Sequence, residues 1–334
     1  MQILMTADAY QRTRSRLSSF GEALDIITFE TDGSFRRGGT PVPAEAVDPE
    51  IFWLSLDVYS GPNPGARLGA FAGQVLKGTR GRWIQVFSAG LDHPLFKGLM
   101  DKGLRLTKSQ SQSPAIADYV LSHGLSLLHP IAEQAAAQAE RTWCTVPFRE
   151  VASTRWLLVG YGAIGHEIAR RVKPFGAHLT VVRRNLEPDA LADAVQPMSA
   201  LPELLPETDV VVLACALNAE TRNLADAAFF RAMKPGALLI NIGRGQLVDE
   251  DALRAGLDRQ QPGRAVLDVF QTEPLPTDSW IWSHPAVRVT GHASHAGDGV
   301  TGRGESQFLE NLRRFLDNQP LIAEARPEEA GAGA

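Results

Sequence analysis

Four segments of this 334-residue chain carry residues whose types and spacing suit chemistry. One, Trp156-Leu157-Leu158-Val159-Gly160-Tyr161-Gly162-Ala163-Ile164-Gly165, is a Gly-x-Gly-x-x-Gly loop between an apolar run and a helical pattern. In that context Gly160 permits a tight turn, Gly162 lets a pyrophosphate approach the backbone, and Gly165 allows close helix–strand packing. The free N–H groups and positive dipole end of the following helix suit the same anion. The other three segments are residues 239–250 with Arg244, 266–274 with Glu273, and 287–295 with His292. Each opens as an apolar run read as a strand. Ligands of open parallel sheets bind at the carboxyl ends of strands, so Arg244, Glu273 and His292 can converge on one crevice. Beside a dinucleotide they form a coherent set. A hydride acceptor such as a 2-oxo acid needs its carboxylate fixed and its developing alkoxide protonated.

The end of the next strand bears on the choice of nucleotide. NAD sites place Asp or Glu about 20 residues on, where it accepts hydrogen bonds from the ribose hydroxyls. Here residues 179–182 run into Arg183-Arg184-Asn185, two guanidinium groups and no carboxylate. Arginine pairs well with phosphate, so NADP(H) is favoured over NAD(H).

These residues need a scaffold, and the hydrophobic pattern supplies one. Residues 155–159, 179–182, 210–214, 237–242, 265–269 and 287–290 read as strands, with helices at 164–173, 201–205, 226–233 and 250–257. Residues 1–110 show a second alternating series: strands at 3–5, 26–29, 51–55, 83–87 and 104–107, and helices near 9–18, 67–77 and 94–102. Such alternation argues for parallel α/β units. Gly38-Gly39 with Pro41, Pro43 and Pro49 marks a loop, as does Gly61-Pro62-Asn63-Pro64-Gly65. Ser113-Pro114 opens a long helical pattern, apolar through Ile131, that could connect two domains. A last amphipathic helix, residues 306–317, follows Gly297, Gly299, Gly302 and Gly304. The polar, small-residue end, 326–334, is expected to fray.

Composition bounds the function. With 33 Lys+Arg against 38 Asp+Glu the chain is mildly acidic, which excludes the basic footprint of a general nucleic-acid binder. Cys144 and Cys215 are too few and too far apart for a disulfide framework or a zinc site. His292-x-x-His295 lacks a third ligand, so no metal is expected. The first eight residues hold too short an apolar run for a signal peptide, and the longest run, 210–217, is far below a membrane span. A soluble cytoplasmic protein follows.

Taken together, these segments resemble the D-isomer-specific 2-hydroxyacid dehydrogenase family, which includes glyoxylate/hydroxypyruvate reductases and phosphoglycerate dehydrogenases. Ser88-Ala89-Gly90-Leu91-Asp92 is similar to the family's substrate-carboxylate loop, and Ile116-Ala117-Asp118-Tyr119 to its linking-helix signature. Arg222, Phe229 and Lys234-Pro235-Gly236 also match. The resemblance implies that Arg244 binds the carboxylate and carbonyl of a 2-oxo acid. Backbone N–H groups of Ala89, Gly90 and Leu91 would share that carboxylate. His292 would be the general acid, with Glu273 hydrogen-bonded to it and favouring the protonated ring. Asp268 would lie near the nicotinamide carboxamide, with Ile242 and Gly243 on the cofactor side, and Cys215-Ala216-Leu217 and Thr221 along the adenine and ribose. Family position selects His292 over His295. The chain departs from the pattern at Gly291, where Pro is usual, which leaves the histidine loop less constrained. Asp118 replaces the usual Glu and Ala216 the usual Pro.

The expected architecture is α/β, with two doubly wound parallel-sheet domains, Rossmann and flavodoxin-like, and a cleft between them. Residues 1–113 and 298–325 would form a discontinuous substrate domain and 114–297 the NAD(P)-binding domain. The Pro114 helix and the stretch 297–304 would be crossings and candidate hinges. The expected function is NADPH-preferring reduction of a small 2-oxo acid to the D-2-hydroxy acid by a homodimer. The alternatives are a dehydrogenase for a bulkier or phosphorylated 2-hydroxy acid, or a dinucleotide-sensing corepressor. Trp53, Tyr59, Trp280 and Trp282 are candidates to shape the substrate pocket.

Overall fold

The computed structural model describes residues 1–21, 24–59 and 62–330. The chain divides into two compact units: Met1–Ser111 with the stretch from Asp298 onward, and Gln112–Gly297.

The first unit contains β1 (Gln2–Thr6), β2 (Asp25–Phe29), β3 (Phe35–Arg37), β4 (Thr40–Val42), β5 (Ile51–Leu54), β6 (Trp83–Val86) and β7 (Arg105–Thr107). Their order is β4-β3-β2-β1-β5-β6-β7. The run from β2 to β7 through β1 is parallel, while β3 and β4 are antiparallel. This β3–β4 hairpin stands where the sequence suggested only a loop. Gly38 and Gly39, both at positive φ, make its turn, and Pro41 is tolerated because β4 is the edge strand.

The second unit contains β8 (Arg155–Val159), β9 (His178–Val182), β10 (Ala194–Gln196), β11 (Val210–Leu213), β12 (Leu238–Asn241), β13 (Arg264–Leu267) and β14 (Val287–Val289). All are parallel, in the order β10-β9-β8-β11-β12-β13-β14. Successive residues feed opposite faces, as a pleated strand requires: Leu157 and Val159 join one core cluster, Trp156 and Leu158 the other. Both faces are therefore covered, which explains the unbroken apolar runs.

Three expectations change. The helical pattern opened by Pro114 is two helices, Ser113–Leu128 and Ile131–Ala139. Pro130 ends the first because it lacks an N–H and forces His129 into extended backbone (φ −99°, ψ 140°). The first helix lies wholly in the second unit and does not connect the two. The last helix, Val300–Leu316, begins earlier than periodicity suggested and absorbs Gly302 and Gly304, leaving a shorter crossing. It belongs to the first unit because Phe308 stacks on Trp53 (ring centroids 4.3 Å) and on Trp83 (5.5 Å).

Residues 326–330 are also more ordered than their composition implies. Pro327–Glu329 form a short 3-10 turn, Lys108 pairs with Glu329, and Ala330 is buried. Residues 331–334 lie outside the described residues, as does Gly61 of the expected 61–65 loop, whose Pro64 and Gly65 begin a helix instead. No helix among the described residues is long and apolar enough to cross a membrane.

Candidate active site

Register aligns the strand ends of the second unit. Val182, Val159, Leu213, Asn241, Leu267 and Val289, each the last residue of its strand, pair in a row across the sheet. The loops carrying Arg183, Gly160, Cys215, Arg244, Asp268 and His292 all leave from that edge, where ligands of open parallel sheets bind.

At β8 the chain turns through Gly160 at φ +101°. A Cβ there would lie 2.5 Å from the Cys215 nitrogen, so both sterics and dihedral demand glycine. A Cβ at Gly165 would meet the Gly160 carbonyl oxygen at 2.6 Å, which sets helix Ala163–Val172 close against the turn. Gly162, at that helix's N-cap, is different: a Cβ there meets nothing of the protein. Its surroundings are open on the side where a pyrophosphate would approach.

Past β9, Arg183 stacks its guanidinium over the Tyr161 ring at 5.3 Å and donates from Nη2 to the Glu187 carbonyl. Its Nε is buried without a hydrogen-bond partner, and Arg184 is exposed. The Tyr161 hydroxyl donates to Asp189 Oδ1 at 2.9 Å, which also accepts from the Leu191 N–H. Burial pushes the Tyr161 phenol up, so it remains a donor. The open helix N-terminus beside two arginines, Arg183 half-buried and Arg184 exposed, fits an anionic dinucleotide.

The acid–base pair stands farther along the same edge. His292 Nδ1 and Glu273 Oε2 are 2.8 Å apart, and Glu273 Oε1 accepts the Phe270 N–H at 2.9 Å. The hydrogen bond to Glu273 raises the His292 pKa; burial and the Arg244 charge oppose this but do not outweigh it. Burial would raise the Glu273 carboxyl, yet its bonds to His292 and Phe270 and the charge of Arg244 leave it lowered. Arg244 thus acts electrostatically on both members. Its loop is fixed by buried Asn241, whose side chain donates to the Arg244 carbonyl (2.9 Å) and accepts from Gly243 N–H (3.1 Å). Gly245 lets this loop press against the next one: a Cβ there would lie 1.8 Å from the Phe270 carbonyl carbon.

His292 has φ +51°, a left-handed conformation that costs an L-residue roughly 1–2 kcal/mol. Fully buried Asp268 holds it there. The Asp268 carbonyl accepts the His292 N–H at 2.8 Å, and its Oδ1 accepts from Ala293 N (2.8 Å) and Thr290 Oγ1 (2.6 Å). Ser294 N reaches both carboxylate oxygens, at 3.2 and 3.1 Å. Asp268 therefore clamps the histidine loop and supplies rigidity that a proline at Gly291 would otherwise contribute.

The remaining candidates divide. Thr221 donates to the Ala216 carbonyl at 2.8 Å and pins the loop after β11, whose Ala216 is exposed. The side chains of Ile242 and Leu217 are buried in the core. Burial pushes the Cys215 thiol up to about 11, so it stays protonated. His295 packs edge-on to His292 at 6.0 Å, and burial together with the His292 charge lowers its pKa. In the first unit, Ala89, Gly90 and Leu91 follow β6. Ser88 Oγ donates to the Gly90 carbonyl at 2.6 Å, and Leu91 is buried in that unit's core. Trp53 is 3% exposed and belongs to the core, not to a pocket; Tyr59 and Trp282 are exposed and Trp280 half-buried. No group of three or more His, Cys, Asp or Glu suited to a metal occurs among the described residues. Sequence reasoning missed Asn241, Thr290 and Tyr119 as supports; a lone Asn closing the apolar strand β12 was the available signal.

Residues 121–294 match the family model "D-isomer specific 2-hydroxyacid dehydrogenase, NAD binding domain". The chain belongs to this family. Membership makes it an NAD(P)-dependent oxidoreductase of the 2-hydroxyacid dehydrogenase type. It is 31% identical over 238 residues to 4-methyl-2-oxopentanoate reductase A of Aspergillus oryzae, covering 70% of this chain and 71% of that one. It is 32% identical over 170 residues to human glyoxylate reductase/hydroxypyruvate reductase, covering 51% of this chain and about half (52%) of the human one. A solved family member from Xanthobacter autotrophicus Py2, in complex with NADPH and MES, superimposes with a TM-score of 0.77 at 26% identity, covering 98% of each chain.

Proposed function

We propose that this dehydrogenase reduces a small 2-oxo acid, of the glyoxylate or hydroxypyruvate type, to the D-2-hydroxy acid, with NADPH preferred to NADH. The observation that carries this reading is the 2.8 Å bond between His292 and Glu273 within the electrostatic reach of Arg244. NADPH, when bound, would supply the hydride that the carbonyl carbon accepts. The Arg244 guanidinium binds the substrate carboxylate and polarises the carbonyl oxygen. His292 gives its Nε2 proton to that oxygen while its Nδ1–H remains on Glu273, which keeps the ring charged until transfer. Glu273 and the Asp268 clamp orient the ring. Gly160, Gly162 and Gly165 would form the turn that holds its pyrophosphate, and Arg183 and Arg184 would receive the 2′-phosphate.

The human relative supports the glyoxylate/hydroxypyruvate class, and the NADPH complex of the Xanthobacter protein supports the cofactor choice beside the two arginines. The Aspergillus relative favours a second reading, a bulkier branched 2-oxo acid. Glyoxylate, hydroxypyruvate and 4-methyl-2-oxopentanoate, each assayed with NADPH and NADH, separate these readings. Highest kcat/KM for the branched acid would overturn the small-acid assignment, and a preference for NADH would overturn the role given to Arg183 and Arg184.

The enzyme is further proposed to be a homodimer. Helix Ile131–Ala139 buries no residue, and Trp143 beyond it is 103% exposed, an apolar arm that association of two copies would cover. Sedimentation analysis tests this, and a monomer at working concentration would contradict it.

A further inference from the structure

Behind the Asp268 clamp runs a polar chain that no catalytic role uses. Tyr119, on helix Ser113–Leu128, places its hydroxyl 2.7 Å from Thr290 Oγ1, which lies 2.6 Å from Asp268 Oδ1. Proton direction along this chain is fixed by chemistry. A carboxylate only accepts, so Thr290 donates to Asp268, and the Thr290 oxygen is left to accept from Tyr119. Burial, with the charge of Asp268 beyond it, pushes the Tyr119 phenol up to about 12, so the donor keeps its proton.

We propose that Tyr119 is a positioning residue for reduction, acting through Thr290 and Asp268 to hold the His292 ring in line with Glu273. The need for such a brace is local to this chain. His292 sits in left-handed backbone after a glycine, and its N–H and those of residues 293 and 294 are all held by Asp268. The Asp268 backbone carbonyl takes the His292 N–H, while its carboxylate takes those of residues 293 and 294 and is itself steered by the Thr290 hydroxyl, and that hydroxyl by Tyr119. Hydrogen bonds in such a series polarise and align one another, so losing the first loosens the last. Charged and titratable groups near the chain are Asp268, Arg288 and His123 around Tyr119, and Glu273, Asp268, Arg244 and His295 around His292.

The inference rests on His292 being the acid, and the test separates the two. Tyr119→Phe, Thr290→Val, Thr290→Ser, the Tyr119→Phe/Thr290→Val double variant and His292→Ala are compared in the full-length enzyme with NADPH and the best 2-oxo acid. Thermal melting and NADPH titration accompany each, to establish folding. Tyr119→Phe is expected to lower kcat about fivefold with KM little changed. Its pH profile should lose activity at lower pH on the basic side, because a misaligned ring loses part of the proton affinity that Glu273 confers. Thr290→Val should match it, Thr290→Ser should restore the wild-type rate, and the double variant should be no slower than Thr290→Val, since the two groups act in series. Wild-type kcat and pH profile in Tyr119→Phe, a slow Thr290→Ser, or effects that multiply in the double variant would overturn the proposal while leaving His292 as the acid. Full activity in His292→Ala would overturn both.

Discussion

The backbone carbonyl of buried Asp268 accepts the N–H of His292 at 2.8 Å, and its carboxylate holds the next two residues, keeping His292 at φ +51°, the conformation in which its Nδ1 reaches Glu273. The acid–base pair is therefore set by the backbone as much as by the side chains. Asp268→Asn keeps the shape but replaces one acceptor oxygen with a donor, which faces the Ser294 N–H whichever oxygen it replaces. Leaving such buried groups unsatisfied costs about 1–3 kcal/mol. The variant should melt earlier and lose turnover while still binding NADPH, and unchanged melting would show that the carboxylate contributes nothing to the clamp.

Glu273 raises the proton affinity of His292 above the ordinary histidine value of 6.5. Reduction needs the protonated ring, so activity should persist to pH above 6.5 and fall as pH rises through the raised pKa. In Glu273→Gln that basic limb should move toward lower pH and the rate at neutral pH should drop. The loss should be part of the roughly 10²–10⁴-fold that a general acid supplies. A pH–rate profile checks this, and an unmoved basic limb would contradict it.

Arg244 offers a planar fork that lysine lacks. Arg244→Lys keeps the charge but should lower kcat/KM for the 2-oxo acid by roughly 10- to 100-fold, mostly through KM. Steady-state kinetics at saturating NADPH measure it. An unchanged KM would remove Arg244 from carboxylate binding.

Replacing Arg183 and Arg184 together by alanine should reduce kcat/KM for NADPH by about 10- to 100-fold and leave that for NADH nearly unchanged. Equal losses with both nucleotides would mean that the arginines serve the fold and not the 2′-phosphate.

Phe308 is fully buried between Trp53 and Trp83 and ties the last helix to the first unit. Phe308→Ala should cost about 3–5 kcal/mol, read by denaturant unfolding. A variant as stable as the wild type would show that this helix is not part of that core.

The parts of this molecule that were legible in sequence are those whose cause is periodic or local. Strands such as β8 and β12 are buried on both faces and leave continuous apolar runs, and the Gly160 turn has its own spacing. The family set Arg244, Glu273 and His292 could be located because each follows such a run. What escaped has causes remote in sequence. The β3–β4 hairpin is hidden by Pro41, acceptable because β4 is the edge strand among the described residues. The break at Pro130 was masked by apolar residues that continue on either side of it. Arg326–Ala330 are held by Lys108 and by the first unit's core, which no composition rule anticipates. Thr290 and Tyr119 are 171 residues apart, and a single hydrogen bond between them leaves no pattern in either segment.

The most direct test is NADPH oxidation by glyoxylate and hydroxypyruvate, followed by loss of the reduced-nicotinamide absorbance, in the wild-type enzyme and in His292→Ala. Turnover by the wild type and a loss of about 10²–10⁴-fold in the variant, with NADPH affinity retained, are expected. No turnover of either acid by the wild type, or an undiminished rate in His292→Ala, would contradict the proposed function.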